Sequence, residues 1–379
     1  MMGTGVRALV CAAGLAYWGR NLRGRMTAFA KLPDRKTQTG YAMALLLGII
    51  GGALADWLNA PLPWFVGPMV VNTFAALMGA PVIGPNFLRP IALPALGVVL
   101  GAAFLPEIFA NLRQWALPLG LIPVFILIST FVNYVFFRRI AREDAITAYL
   151  SSVPGGLTDM ILLGEAYGGN TRQIALAHSM RVMVSVLAIA FVVVWHSGSV
   201  GQGAPRPVTH LGDVGLRDGA VLLACAVLGP WVAKALRIPA GLMLGALLLS
   251  AVAHLTGVTR APVPTVVSLG AQLVLGTSVG ARFAGVTFGS AARSMGFGLA
   301  SSLVSLVVSA AMALVPVWLV GLDYFEALLG YAPGGMMEMS LLALAINQSV
   351  AYVTVAHIIR YVLVMLTAIG AFHVIRRWA

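Results

Sequence analysis

The sequence predicts an all-α, polytopic transmembrane bundle of two homologous halves, on three observations: its composition, the spacing of its apolar runs and an internal duplication. Of its 379 residues 60% are hydrophobic and only 9% charged, against about 25% charged in soluble domains, whose surface must be hydrated. Apolar runs of about 20 residues are what a bilayer's hydrocarbon core requires of a helix. Helices also satisfy their own backbone polar groups, so a helical bundle is the expected solution. The 42 glycines and 20 prolines suit close helix packing and broken helices.

Residues 1–39 read as a basic cytoplasmic arm. Ala8 to Trp18 is apolar and follows Arg7, as in an export signal, but Arg20, Arg23, Arg25, Lys31, Arg35 and Lys36 come directly after it and resist export. The first membrane repeat is expected over 40–197, with apolar segments near 40–59, 62–79, 88–105, 115–137, 145–165 and 172–197. A polar linker rich in Gly and Pro follows over 198–218. The second repeat is expected over 219–379, with segments near 219–236, 239–258, 263–283, 295–320, 325–345 and 351–373. The net charge of +12 does not point to nucleic acid, because the basic residues flank apolar runs as cytoplasmic loops do. The two cysteines, Cys11 and Cys225, sit in apolar surroundings and support neither a disulfide framework nor a thiolate metal site.

One ungapped offset of 179 residues relates the halves. It pairs Gly97, Gly101 and Phe104 with Gly276, Gly280 and Phe283, and Pro154-Gly155-Gly156 with Pro333-Gly334-Gly335. It also pairs Asp159 with Glu338, Met160 with Met339, His178 with His357, and Arg181 with Arg360. Loop charge, in contrast, reverses between counterparts. The basic run Arg138-Arg139-Ile140-Ala141-Arg142 corresponds to the acidic loop containing Asp323 and Glu326. Lys234 and Arg237 follow the first segment of the second half, where the first half offers Asp56, and Arg282 and Arg293 follow its third, where the first half offers Glu107 and Arg113. Arg260 is the exception. Because positive charge marks the cytoplasmic side, the reversal predicts an inverted repeat with five crossings per half and about ten spans in all. The fifth segment of each half, broken by Pro-Gly-Gly, is then re-entrant. On this topology the N-terminal arm and the Arg376-Arg377 tail are both cytoplasmic, in a bacterial-type inner membrane.

The repeated pattern P-G-G-x-x-[D/E]-M, followed by H-x-x-R, carries the chemistry. Charges at membrane depth are expensive unless paired or hydrated, so Asp159 and Glu338 are functional candidates. A half-helix starting at Gly156 or Gly335 turns its positive end to a cavity, which suits an anion. Pro154, Gly155, Gly156, Thr158, Arg181, Pro333, Gly334, Gly335 and Arg360 are therefore the expected solute-binding residues. Asp159, His178, Glu338 and His357 are the expected carriers of a coupling ion, H⁺ or Na⁺. The competing readings are ion pairs of Asp159 and Glu338 with Arg181 and Arg360, hydrogen-bonded core histidines, and packing roles for the G-x-x-x-G glycines.

The stretches SSVPGGLTDM…LAHSMRV and YAPGGMMEM…VAHIIRY resemble the duplicated signature of the AbrB family of integral membrane proteins, over about residues 40 to 379. That family is distinct from the soluble regulators sharing its name. The resemblance implies a duplicated membrane domain. Family labels divide between regulator and ammonia monooxygenase, so it implies no single activity.

The expected function is secondary transport of a small polar solute, a carboxylate above all, coupled to H⁺ or Na⁺. The expected partners are the lipid bilayer, the solute and the coupling ion, with no nucleic acid and no cofactor; the residues are compatible with a homo-oligomer. No G-x-x-x-x-G-K-[S/T] motif supplies ATP binding. A metalloenzyme is the weaker alternative, because each half offers one His with a cationic Arg beside it. A regulatory scaffold is the other, although no segment is long enough for a signalling domain.

Overall fold

The computed structural model describes residues 34–106, 108–197, 208–236, 238, 240–286 and 288–375. The first 33 residues of the arm with Cys11, linker residues 198–207, Glu107, Arg237 and the Arg376-Arg377 tail lie outside the described residues. The first half comprises α1 (Arg35–Trp57), α2 (Pro63–Leu77), α3 (Arg89–Gly101), α4 (Ile108–Gly120), α5 (Ile122–Val135), α6 (Ala145–Ser152), α7 (Leu157–Tyr167) and α8 (Thr171–Ser197). The second comprises α9 (Leu216–Ala235), α10 (Gly241–Leu255), α11 (Thr265–Gly280), α12 (Phe288–Val320), α13 (Tyr324–Tyr331), α14 (Met336–Ala345) and α15 (Val350–Ile375). A π-helical turn, Phe136–Ala141, extends α5, and a 3-10 turn, Ala281–Phe283, closes α11. No strand occurs among the described residues.

Seven stretches among the described residues are long and apolar enough to cross a membrane, by length and composition. They are Arg35–Trp57, Leu112–Ala141, Thr171–Val193, Leu216–Ala235, Thr265–Phe283, Ala292–Val320 and Val350–Thr367. Shorter apolar helices, α2, α10 and α14 among them, accompany them. The protein is a multi-pass helical membrane protein.

Element ends follow local chemistry. The first helix starts at Arg35 rather than near 40 because Asp34 caps it, accepting from the Thr37 N–H at 3.1 Å. The Thr37 side chain, then its N–H, hold the Asp34 carboxyl below the usual carboxylate range. The second half likewise begins early, at Leu216, within the expected linker. The runs 145–165 and 325–345 each divide in two where Pro-Gly-Gly ends the first helix. Proline has no N–H and disfavours helical backbone in the residue before it.

The helices form two groups that share one core. In the first, α1 packs on α2 and α9 on α10, while α3 lies against α10 and α11 against α2. Glycines set these crossings. A Cβ on Gly97 or Gly101 would strike the carbonyls of Met243 or Leu247 in α10. One on Gly276 or Gly280 would strike those of Phe65 or Met69 in α2. Each half thus presents the same glycine pair to the other half's second helix, a reciprocal exchange with two-fold character.

The second group contains α4–α8 and α12–α15. Here the counterpart spans α4–α5 and α12 lie side by side and antiparallel. Gln114 Nε2 near the start of the first donates to the carbonyls of Val320 and Gly321 at the end of the second, each at 3.1 Å. Further along, Ser301 Oγ donates to Asn133 Oδ1 at 2.6 Å. Beyond that the Phe136 and Phe297 rings meet edge to face, 6.3 Å between centroids. Glu143, in the loop after the π turn, is raised by burial and then by Asp144, with Arg293 opposing. The loop after α5 and the start of α12 therefore lie at one end of the molecule.

Candidate functional site

Each half contains a helix, a Pro-Gly-Gly break and a second helix. In the first half this segment turns back on itself. The Asn170 N–H after α7 donates to Thr147 Oγ1 in the first turn of α6 at 2.8 Å, so entry and exit meet. Asn170 then caps α8 through its side chain, accepting from the Gln173 N–H at 3.1 Å. Asp144 caps α6, accepting from the Ile146 and Thr147 N–H groups at 2.9 Å. In the second half Asp323 caps α13 in the same way, accepting from Phe325 at 2.8 Å and Glu326 at 3.1 Å. The Tyr352 ring near the start of α15 lies on Gly330 of α13.

A helix ended inside a bundle leaves its last carbonyls without partners. The H-x-x-R pair supplies them. His178 Nε2 bonds the Leu150 carbonyl at 2.9 Å, and Arg181 donates to the carbonyls of Val153 at 2.8 Å, Ser152 at 3.3 Å and Ser151. In the second half His357 Nε2 bonds Leu329 O at 2.9 Å. Arg360 donates to Ala332 O, to Gly334 O at 2.8 Å and to His357 Nδ1 at 2.9 Å. An arginine can only donate, so His357 Nδ1 is the acceptor and Nε2 carries the proton given to Leu329. All four side chains are at most 6% exposed. The i, i+3 spacing puts His and Arg one turn apart on one helix face, matching the turn of carbonyls they cover. Val364 and Tyr361, which follow Arg360 on α15, pack against Gly155 and Gly156 of the first break, so the two breaks lie close together in the bundle.

The two acids occupy the other side of the breaks, in the first turns of α7 and α14. Asp159 folds back over Gly156, and Glu338 over Gly335; a Cβ on either glycine would meet the carboxylate. The positive ends of both half-helices, expected to face a solute, are thus already faced by the chain's own carboxylates. Their surroundings differ. Asp159 is half-buried and accepts a 3.0 Å hydrogen bond from Tyr361 Oη, which α15 brings from the other half. Glu338 is buried and lies within reach of the charges of Arg282 and Arg89. The ion pairs considered for Asp159 and Glu338 with Arg181 and Arg360 are therefore not the contacts found: the arginines bond carbonyls, and Asp159 bonds Tyr361.

Of the remaining candidates, Pro154 and Pro333 are buried, Gly155 and Gly334 hold Met160 and Met339 against the break, and Thr158 is exposed. Sequence reasoning missed Tyr361, Arg282 and Arg89. It looked for residues shared by the halves, and the counterparts of Tyr361 and Arg282 are the apolar Val182 and Ala103. Among the described residues no three His, Cys, Asp or Glu side chains gather as metal ligands.

The duplicated motif can be set beside known proteins. No solved structure matches the chain. A Bacillus subtilis (strain 168) protein, "Uncharacterized protein YhjN", is 25% identical over 343 residues, covering 85% of this chain and 89% of its own. An Escherichia coli (strain K12) protein, "Putative regulator AbrB", is 25% identical over 326 residues, covering 86% of this chain and 92% of its own. The family model described as "Transition state regulatory protein AbrB" matches residues 64–376, which include both Pro-Gly-Gly breaks and both H-x-x-R pairs. The chain belongs to the AbrB family.

Proposed function

We propose that this protein is an ion-coupled secondary transporter for a small anionic, carboxylate-bearing solute. In this reading it sits in a bacterial-type inner membrane with both termini in the cytoplasm. The observation that carries the proposal is the pair of interrupted helices, α6–α7 and α13–α14, whose breaks lie close together with an acid at the head of each returning helix. Broken helices at a repeat interface are how alternating-access carriers build a polar site at membrane depth. Further support comes from orientation. The antiparallel pairing of α4–α5 with α12, and the return of the first hairpin to its starting side, fit an inverted repeat with five crossings per half.

Asp159 and Glu338 are assigned to the coupling ion. Arg181, Arg360, His178 and His357 act on the site by holding the ends of α6 and α13 in place through their bonds to the carbonyls there. Gly155, Gly156, Gly334 and Gly335 let Met160, Asp159, Met339 and Glu338 pack directly on the breaks, so the solute needs the acids to move aside. No catalytic step is assigned to any residue.

The test is uptake into proteoliposomes of labelled small carboxylates under an imposed H⁺ or Na⁺ gradient. Uptake driven by one gradient, and uncoupled from it in Asp159→Asn and Glu338→Gln, is the expected result. Uptake that ignores every gradient would remove the coupling, and none at all would remove the carrier. The name of the Escherichia coli relative favours a second reading, a membrane regulatory scaffold. A stoichiometric cytoplasmic partner on affinity purification, with no uptake, would select it. Stoichiometric iron or copper in the purified protein would revive the enzyme alternative.

A further inference from the structure

The two helix groups meet along a seam, and three charged side chains converge there. Arg89 opens α3, and Arg282 lies on the 3-10 turn that ends α11, so both belong to the first group. Glu338 lies in the first turn of α14, in the second group, and α14 packs on α3. The charges of Arg282 and Arg89 both reach Glu338, and Arg89 repels Arg282.

Arg282 differs from the other site arginines. Arg181 and Arg360 direct their terminal N–H groups to helix-end carbonyls and, for Arg360, to His357, with only the buried Arg181 Nε left over, whereas Arg282 makes no hydrogen bond and no ion pair within 4 Å among the described residues. A partly buried guanidinium with five donors and no acceptor is poised for a planar oxyanion, which it can grip with two parallel N–H groups. The negative charge that acts on Arg282 is that of Glu338, whose carboxylate is turned back over Gly335. Arg282 and Arg89 are half-buried while Glu338 is 7% exposed, so the acid forms the closed end of the seam.

We infer that this seam is the solute's anion subsite, in which Arg282, assisted by Arg89, takes a small carboxylate in place of the charge supplied by Glu338. The inference rests on the carrier reading and deepens it by naming the group that recognises the solute. Because the arginines belong to one helix group and Glu338 to the other, the bound anion would bridge the surfaces that must move past each other in an alternating-access cycle.

The test is a ligand screen by thermal unfolding and equilibrium binding on the full chain in detergent. The probes are acetate, benzoate, succinate, methanesulfonate and inorganic phosphate, with phosphatidylglycerol added in a separate arm. One carboxylate class should raise the wild-type midpoint, since a ligand of the folded state stabilises it by mass action. Arg282→Gln should weaken that binding by about tenfold or more, and Arg282→Lys by less, because lysine keeps the charge and loses the fork. Glu338→Gln should tighten it by removing the competing charge, a direction that a damaged fold does not produce.

Binding unchanged in Arg282→Gln, or weakened in Glu338→Gln, overturns the site. A response confined to phosphatidylglycerol also overturns it, in favour of a lipid headgroup. No response to any anion overturns it too, and the carrier reading then survives only if proteoliposomes take up an uncharged or cationic solute. Carboxylate binding that depends on Arg282, without uptake, keeps the site and removes the carrier.

Discussion

Arg181 shows how a buried charge can be held without a counter-ion. Its N–H groups fall on the carbonyls of Ser151, Ser152 and Val153, where the end of α6 concentrates negative partial charge. Arg181→Gln should therefore destabilise the protein by roughly 3–6 kcal/mol, the scale of two hydrogen bonds to a charged group. Arg181→Lys should recover little, since a point charge does not span several carbonyls. Thermal unfolding of the purified variants checks both, and a wild-type midpoint for Arg181→Gln would show that the clamp is dispensable. Tyr361 works at the same scale but across the halves. Tyr361→Phe should cost only about 1 kcal/mol in stability while lowering solute uptake several-fold, because it releases Asp159 rather than opening the core. Parallel unfolding and uptake assays separate the two effects.

At the scale of elements, the glycine crossings do what larger residues cannot. Gly97 lies on the Met243 carbonyl and Gly276 on the Phe65 carbonyl, with backbone rather than flexible side chain in the way. Gly97→Val and Gly276→Val should each cost roughly 1–3 kcal/mol or more by overpacking, and the two costs should be similar because the contacts are counterparts. A melting series on both variants checks this, and a harmless Gly276→Val would mean that the crossing can open. Gly335→Ala is a different case. Its Cβ meets the Glu338 carboxylate, a movable side chain, so it should alter the site more than the fold.

Across the whole molecule, the relation between the halves decides which loops share a side of the membrane. Arg139 follows α5, Arg293 stands near the start of α12, and the Phe136–Phe297 and Arg293–Phe297 contacts hold those ends together. Single cysteines at 139 and 293, in a background without Cys11 and Cys225, should react with an impermeant maleimide from the same side. Cysteines at 59 and 323 should react from the other. Labelling of 139 and 293 from opposite sides would contradict this arrangement. The two helix groups also divide the work. Crossings of glycine on backbone knit the first, while the second carries both broken hairpins and the long span pair.

Composition and the 179-residue offset were enough to determine a duplicated helical membrane protein, the order of its apolar segments and the paired motif. They sufficed because bilayer thickness dictates helix length and because duplication repeats chemistry at a readable interval. Repetition shows that His178 and Arg181 belong with Pro154-Gly155-Gly156, but it does not show what they touch. Only the tertiary structure decided that the arginines bond carbonyls rather than Asp159 and Glu338, that Asn170 returns to Thr147, and that Arg282 and Tyr361 join the acids. The reason is physical. Buried donors take whichever acceptors the packing leaves unpaired, and which carbonyls are left unpaired depends on where helices end in space. Arg282 and Tyr361 have apolar counterparts, so they stand in the half of the design that duplication does not copy.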